Sequence, residues 1–135
     1  MIKVLNIITD TNIGGAGRVL INYLRYSDRS NFETSVSVPR GSLLVPELEK
    51  HGAAVYEVDG IADRSYDKAD VAVLRELIAK VDPDIVHAHG AFSARIAARR
   101  CKKTVVFTRH SAFPVSAKLR YPPGRWVNRS EEAHV

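Results

Sequence analysis

Ile7-Ile8-Thr9-Asp10-Thr11-Asn12-Ile13-Gly14-Gly15-Ala16-Gly17-Arg18-Val19-Leu20 runs from an apolar strand through a glycine-rich turn into an amphipathic helix. Glycines let a backbone approach an anion closely. The free N–H groups and positive dipole end of the helix that follows then favour negative charge at that point. The stretch therefore predicts a first βα unit with a phosphate cradle in its turn. Two further segments, Val86-His87-Ala88-His89-Gly90 and Thr108-Arg109-His110-Ser111, are expected to open onto the same crevice.

Outward from this unit the periodicity alternates between strand and helix. Strands are predicted at Lys3–Thr9, Phe32–Val38, Ala53–Val58, Asp84–Ala88 and Thr104–Thr108. Helices are predicted at Arg18–Tyr26, at Leu43–His51 with Gly52 as a left-handed cap, along Val71, Leu74, Ile78 and Val81 up to Asp82-Pro83, and at Ala91–Cys101. Such alternation implies right-handed crossovers and a parallel sheet covered on both faces. The fold class is thus α/β, a doubly wound Rossmann-like sheet in a single domain, with expected strand order 3-2-1-4-5. In that order the first and fourth strands are neighbours, and ligands bind at the switch point between them.

The chain has 135 residues, 45% of them hydrophobic and 26% charged, which suits one ordinary globular domain with its own core. The apolar run Val4 to Ile8 is too short for a signal peptide or a spanning helix, so a cytoplasmic location is expected. Cys101 is the single cysteine, which excludes an internal disulfide and a cysteine metal cluster, and it is read as structural. Charge is unevenly spread. Residues 1–90 carry ten Lys/Arg against thirteen Asp/Glu, whereas residues 91–130 carry ten Lys/Arg and no acid. A basic C-terminal third suggests an anionic partner, or else a solvated face or an acidic neighbouring domain. No nucleic-acid-binding signature accompanies it, and nucleic acid is not expected as a partner.

Each segment also has a plainer reading. Gly14 and Gly15 would equally serve tight strand-to-helix packing, and His87 would serve as a hydrogen-bonded core residue, deeper in the sheet than His89 at the strand end. A dinucleotide site is the chemical competitor, but Leu20 stands where G-x-G-x-x-G/A needs a small residue, and strand two ends at Val38-Pro39-Arg40 without a ribose-binding acid. Arg40 facing a 2′-phosphate would keep that competitor alive. A histidine metal site lacks supporting ligand spacing, and none is expected.

Gly14-Gly15-Ala16-Gly17-Arg18-Val19-Leu20, Asp84-Ile85-Val86-His87-Ala88-His89-Gly90 and Phe107-Thr108-Arg109-His110-Ser111 together resemble the N-terminal domain of family 4, GT-B-fold glycosyltransferases. The resemblance covers essentially the whole chain. The usual form of the first motif is GGAER, so Gly17 stands in place of a glutamate. The resemblance implies a retaining enzyme that transfers a sugar from a nucleotide diphosphate sugar to a carbohydrate or lipid-linked acceptor, without cofactor or obligatory metal. It also implies roles: His110 catalytic beside the transferred sugar; Gly14, Gly15, Ala16, Arg18 and Ser111 against the donor's phosphate and sugar; His89 and Gly90 lining the cleft.

Residues 1–135 would then be the acceptor-side domain, with the C-terminal donor domain as a missing partner. The segment Val115–Trp126 interleaves basic residues with Leu, Tyr and Trp, a mixture suited to an anionic membrane surface and a peripheral position there. The alternative class is a non-catalytic nucleotide- or phosphate-binding Rossmann-like module.

Overall fold

The computed structural model describes residues 1–110, Lys118 and residues 121–123. Five strands, β1 (Ile2–Ile8), β2 (Phe32–Pro39), β3 (Ala54–Val58), β4 (Ile85–His89) and β5 (Thr104–Thr108), alternate with four helices, α1 (Gly15–Tyr26), α2 (Val45–Lys50), α3 (Lys68–Val81) and α4 (Phe92–Arg100). All strand pairs are parallel, in the expected order β3-β2-β1-β4-β5.

The two faces of β1 explain the architecture. Leu5 and Ile7 point to one side, where Val86 and Ala88 of β4 join Val71, Leu74 and Ile78 of α3 and Ala94, Ala97 and Ala98 of α4. Ile8 points to the other, with Val36 and Val38 of β2, Leu20 and Leu24 of α1, and Leu44 and Leu48 around α2. Each Leu or Ile so buried contributes roughly 1.5–3 kcal/mol, which fixes the register of the sheet. Alanines on the inner face of α4 keep that helix close to β4 and β5.

Helix ends follow local chemistry. Asp67 caps α3 by accepting from Ala69 N–H at 2.7 Å, and the helix stops at left-handed Asp82 (φ 47°) before Pro83. Gly52 takes φ +74° just past α2, as expected, beneath an Arg29 guanidinium that donates to the carbonyls of Leu24 and His51. Two helices begin earlier than the periodicity suggests: α1 at Gly15, because glycines hide the helical repeat, and α3 at Lys68, because its start is set by the Asp67 cap and not by an apolar residue. Conversely α2 is shorter, Val45–Lys50.

Candidate functional site at the carboxyl rim of the sheet

Parallel strands deliver all their carboxyl ends to one rim, and there the register sets Ile8 of β1 beside His89 of β4, and His89 beside Thr108 of β5. The turn after β1 enters α1 through Gly14, an N-cap without a side-chain hydrogen bond, and the first helical turn carries no acid. The helix therefore presents backbone N–H groups and its positive dipole end uncompensated by side chains. A Cβ on Gly15 would meet nothing within 4 Å, and one on Gly14 would come only to 3.8 Å from Asp10 Oδ2. The packing role weighed for these two glycines belongs instead to Gly17, where a Cβ would stand 2.6 Å from Leu44 Cδ2. Ala16 is half-buried in the α1 core, and Arg18 is exposed.

At the neighbouring strand ends three imidazoles stack. His87 and His89 have ring centroids 4.0 Å apart, and His89 and His110 5.2 Å. His87 Nε2 lies 2.7 Å from Thr108 Oγ1. His89 is bonded on both sides, Nε2 to Asn6 Oδ1 at 3.0 Å and Nδ1 to His110 Nε2 at 3.0 Å. The expected depth of the two β4 histidines is reversed: His89 is 7% exposed and His87 is half-buried, because Asn6 and His110 cover the ring nearer the rim. Burial, reinforced by His87 and His110, pushes the His89 pKa down to about 3, so its ring is neutral. His87 is also lowered, by burial first and His110 second. His110 itself is exposed at the rim, and Gly90 (φ +67°) carries the chain from His89 into α4 with its N–H donating to Thr108 O at 2.9 Å.

Across from His110 lies Asp10, whose pKa is raised by burial and by the Asp63 carboxylate, against a pull in the other direction from His110. Asp63 is tied down by Thr11, which donates from its backbone N–H at 3.0 Å and its hydroxyl at 2.6 Å, and these bonds lower its pKa. The long β3–α3 loop thus reaches over to the β1 turn. It is anchored by Arg64 on the buried Asp70 carboxylate, at 2.8 and 2.7 Å, and by Ser65 on Gly90 O at 2.8 Å.

Sequence reasoning passed over Asn6, Asp10, Thr11, Asp63 and Thr108. One signal was available for Asn6, a buried amide that interrupts the apolar run of the central strand. Arg40, the one residue favouring a 2′-phosphate, is paired with Asp59 at 2.6 Å. In the basic C-terminal third, Arg95 is buried, with its guanidinium over the Phe107 ring at 4.7 Å, while Arg99, Arg100, Lys102 and Arg109 are exposed. Ser111, and most of the segment Val115–Trp126, lie outside the described residues. Among the described residues no group of three or more His, Cys, Asp or Glu is arranged to hold a metal ion, and no helix is long and apolar enough to cross a membrane.

The sequence pattern of glycosyltransferase family 4 matches residues 13–134. The chain belongs to glycosyltransferase family 4. Solved structures share the fold of this family 4 domain: a glycosyltransferase from Rickettsia africae (TM-score 0.69, 20% identity, 88% of this chain and 32% of that one). Anabaena HepE, solved with UDP and glucose, gives a TM-score of 0.61 at 18% identity over 82% of this chain and 30% of that one. A Neisseria meningitidis UDP-GlcNAc 2-epimerase bound to UDP-GlcNAc gives 0.62 at 16% identity over 95% and 37%. Among curated proteins there is no match. The family 4 domain spans about a third of the length of the solved structures it matches.

Proposed function

We propose that this domain is the N-terminal, acceptor-side half of a retaining glycosyltransferase that moves a sugar from a nucleotide diphosphate sugar to a carbohydrate or lipid-linked acceptor. The observation that carries the reading is the meeting, at one switch point, of an uncapped α1 N-terminus with the His89–His110 pair and Asp10. The departing diphosphate is a doubly anionic leaving group, and positioned N–H donors and an arginine stabilise the charge it gains. Gly14, Gly15, Ala16 and Arg18 are the residues we assign to that place, together with Ser111, which lies outside the described residues. His110 holds a hydroxyl of the transferred sugar and steadies the anomeric carbon. His89 and Gly90 form the floor behind it.

The rim offers one wall, so the donor's base and ribose need a second, C-terminal domain. A cytoplasmic enzyme at a membrane surface fits the basic C-terminal third, in which Lys118 and Tyr121 are exposed. The test is His110→Ala in an enzyme containing this domain and its C-terminal half. Turnover should fall at least tenfold, about 1.4 kcal/mol of transition-state stabilisation, with circular dichroism unchanged. Equal turnover in the two enzymes would sink the assignment.

A further inference from the structure

Asn6 has no evident reason to stand in the middle of the central strand. It is 1% exposed, between Leu5 and Ile7 on the strand and beside His87 of β4 in register, and its Nδ2 has no hydrogen-bond partner. A buried amide donor left without a partner costs about 1–3 kcal/mol, so an apolar residue would serve stability better. What the amide does make is a single bond, Oδ1 to His89 Nε2 at 3.0 Å.

The reversed amide, with Nδ2 toward His89, would require the opposite tautomers; with Oδ1 of the Asn6 amide turned to His89, this bond requires the proton of the neutral His89 ring to sit on Nε2, because a carbonyl oxygen only accepts. His89 Nδ1 is then a bare lone pair, and its 3.0 Å contact with His110 Nε2 requires the proton there to belong to His110. A neutral His110 ring with its proton on Nε2 has a bare Nδ1, and among the described residues that nitrogen takes no hydrogen bond. We propose that Asn6 and His89 are positioning residues that dictate the tautomer of His110, so that it offers the crevice a hydrogen-bond acceptor, Nδ1, selecting a ligand that donates a hydroxyl there. Calling that ligand the hydroxyl of a donor sugar rests on the transferase reading above; the tautomer itself does not.

The assignment is that of the neutral His110 ring; the Asp10 carboxylate, which attracts positive charge at His110, favours instead the imidazolium, which donates from both nitrogens and offers no acceptor. His87 stacks face to face on His89 and spends Nε2 on Thr108 Oγ1, while Asp10 acts on His110 through space from the β1 turn, with Asp63 behind it. The neutrality that the argument needs of His89 follows from its burial, which disfavours the imidazolium.

Long-range proton–nitrogen correlation spectra of the 15N-labelled full chain read the tautomer of each ring, with assignment by His89→Gln and His110→Gln. The expected result near neutral pH is Nε2-protonated rings for both His89 and His110. A His110 signal averaged between tautomers, or protonated on Nδ1, overturns the proposal. In Asn6→Leu the acceptor is gone, and His110 should lose its single tautomer; an unchanged His110 pattern in a folded variant overturns the role of Asn6. Should Asn6→Leu fail to fold, Asn6→Asp replaces it. A carboxylate there favours an imidazolium at His89 that donates through Nδ1, so His110 should move its proton to Nδ1, and no such movement counts against the relay. None of these readings needs a sugar donor. The transferase assignment can therefore fail while the relay stands, and the converse.

Discussion

Gly17 of α1 and Leu44 at the start of α2 are packed so that position 17 has no room for a side chain: a Cβ there would lie 2.6 Å from Leu44 Cδ2 and 3.4 Å from Cδ1, with Leu44 itself fully buried. The glutamate usual at this place in the resembled motif would have to displace the buried Leu44 methyls. Gly17→Ala gains about 1 kcal/mol of helix propensity but overpacks the core by about 1–3 kcal/mol, so a net loss near 1 kcal/mol is expected in urea unfolding. In a Leu44→Ala background the same substitution should instead stabilise, by up to about 1 kcal/mol, because the obstructing methyls are gone. A loss of equal size in both backgrounds would refute the packing account.

The depressed pKa of His89 makes stability depend on acid. The unfolded ring takes a proton near 6.5, the folded ring only near about 3, so the unfolded state binds the extra proton between those limits. Stability should fall as pH drops through that window, by up to about 1.4 kcal/mol per unit, and His87 adds in the same direction. Asp10 opposes it, since a carboxyl raised in the folded state stabilises on acidification. Unfolding midpoints measured across the window should show a shallower slope for His89→Gln than for the wild-type chain.

Arg64 and Asp70 are unequal partners. The Asp70 side chain is 5% exposed and Arg64 44%, so removing the arginine strands a buried carboxylate, whereas removing the aspartate returns a guanidinium to water. Arg64→Ala should lower the thermal midpoint more than Asp70→Ala. Because Arg64 anchors the loop that brings Asp63 to Thr11, Arg64→Ala should also raise the hydrogen-exchange rate of the Thr11 amide. Equal midpoints would contradict the asymmetry.

Taken alone, the 135-residue chain is expected to fold cooperatively yet release no nucleotide diphosphate from a nucleotide sugar above background. One wall of a cleft leaves the reacting bond in water. Addition of a separately produced C-terminal domain should restore part of the activity, and a product-release assay with a panel of acceptors decides between the outcomes. Robust turnover by the single chain would overturn the two-wall mechanism.

The sheet and its order were legible in the sequence because the strands read as short apolar runs, Val4–Ile8 buried on both faces at the centre and Thr104–Thr108 apolar in its middle although Val106 is exposed at the edge. Helix starts were less so. Gly15 and Asp67 begin helices by backbone freedom and by capping, neither of which leaves a periodic signal. The convergence of the β1 turn with His89 and His110 followed from the strand order. The depth of His89 did not, since alternation places His87 and His89 on one face and says nothing of what covers each ring. Asp63 joins the rim from 52 residues away through two hydrogen bonds to Thr11, a contact between exposed loops that no local pattern encodes.

The rim loops are tied to one another in an unbroken belt: Ser42 and Leu43 to Asp10 and Thr11, Thr11 to Asp63, Ser65 to Gly90, and Gly90 to Thr108. The chain entropy that a slack cradle would surrender on capturing its ligand has therefore already been given up when the domain folds. A ligand that settles against these described loops finds them already tied to one another, so less of its binding energy goes into arranging them.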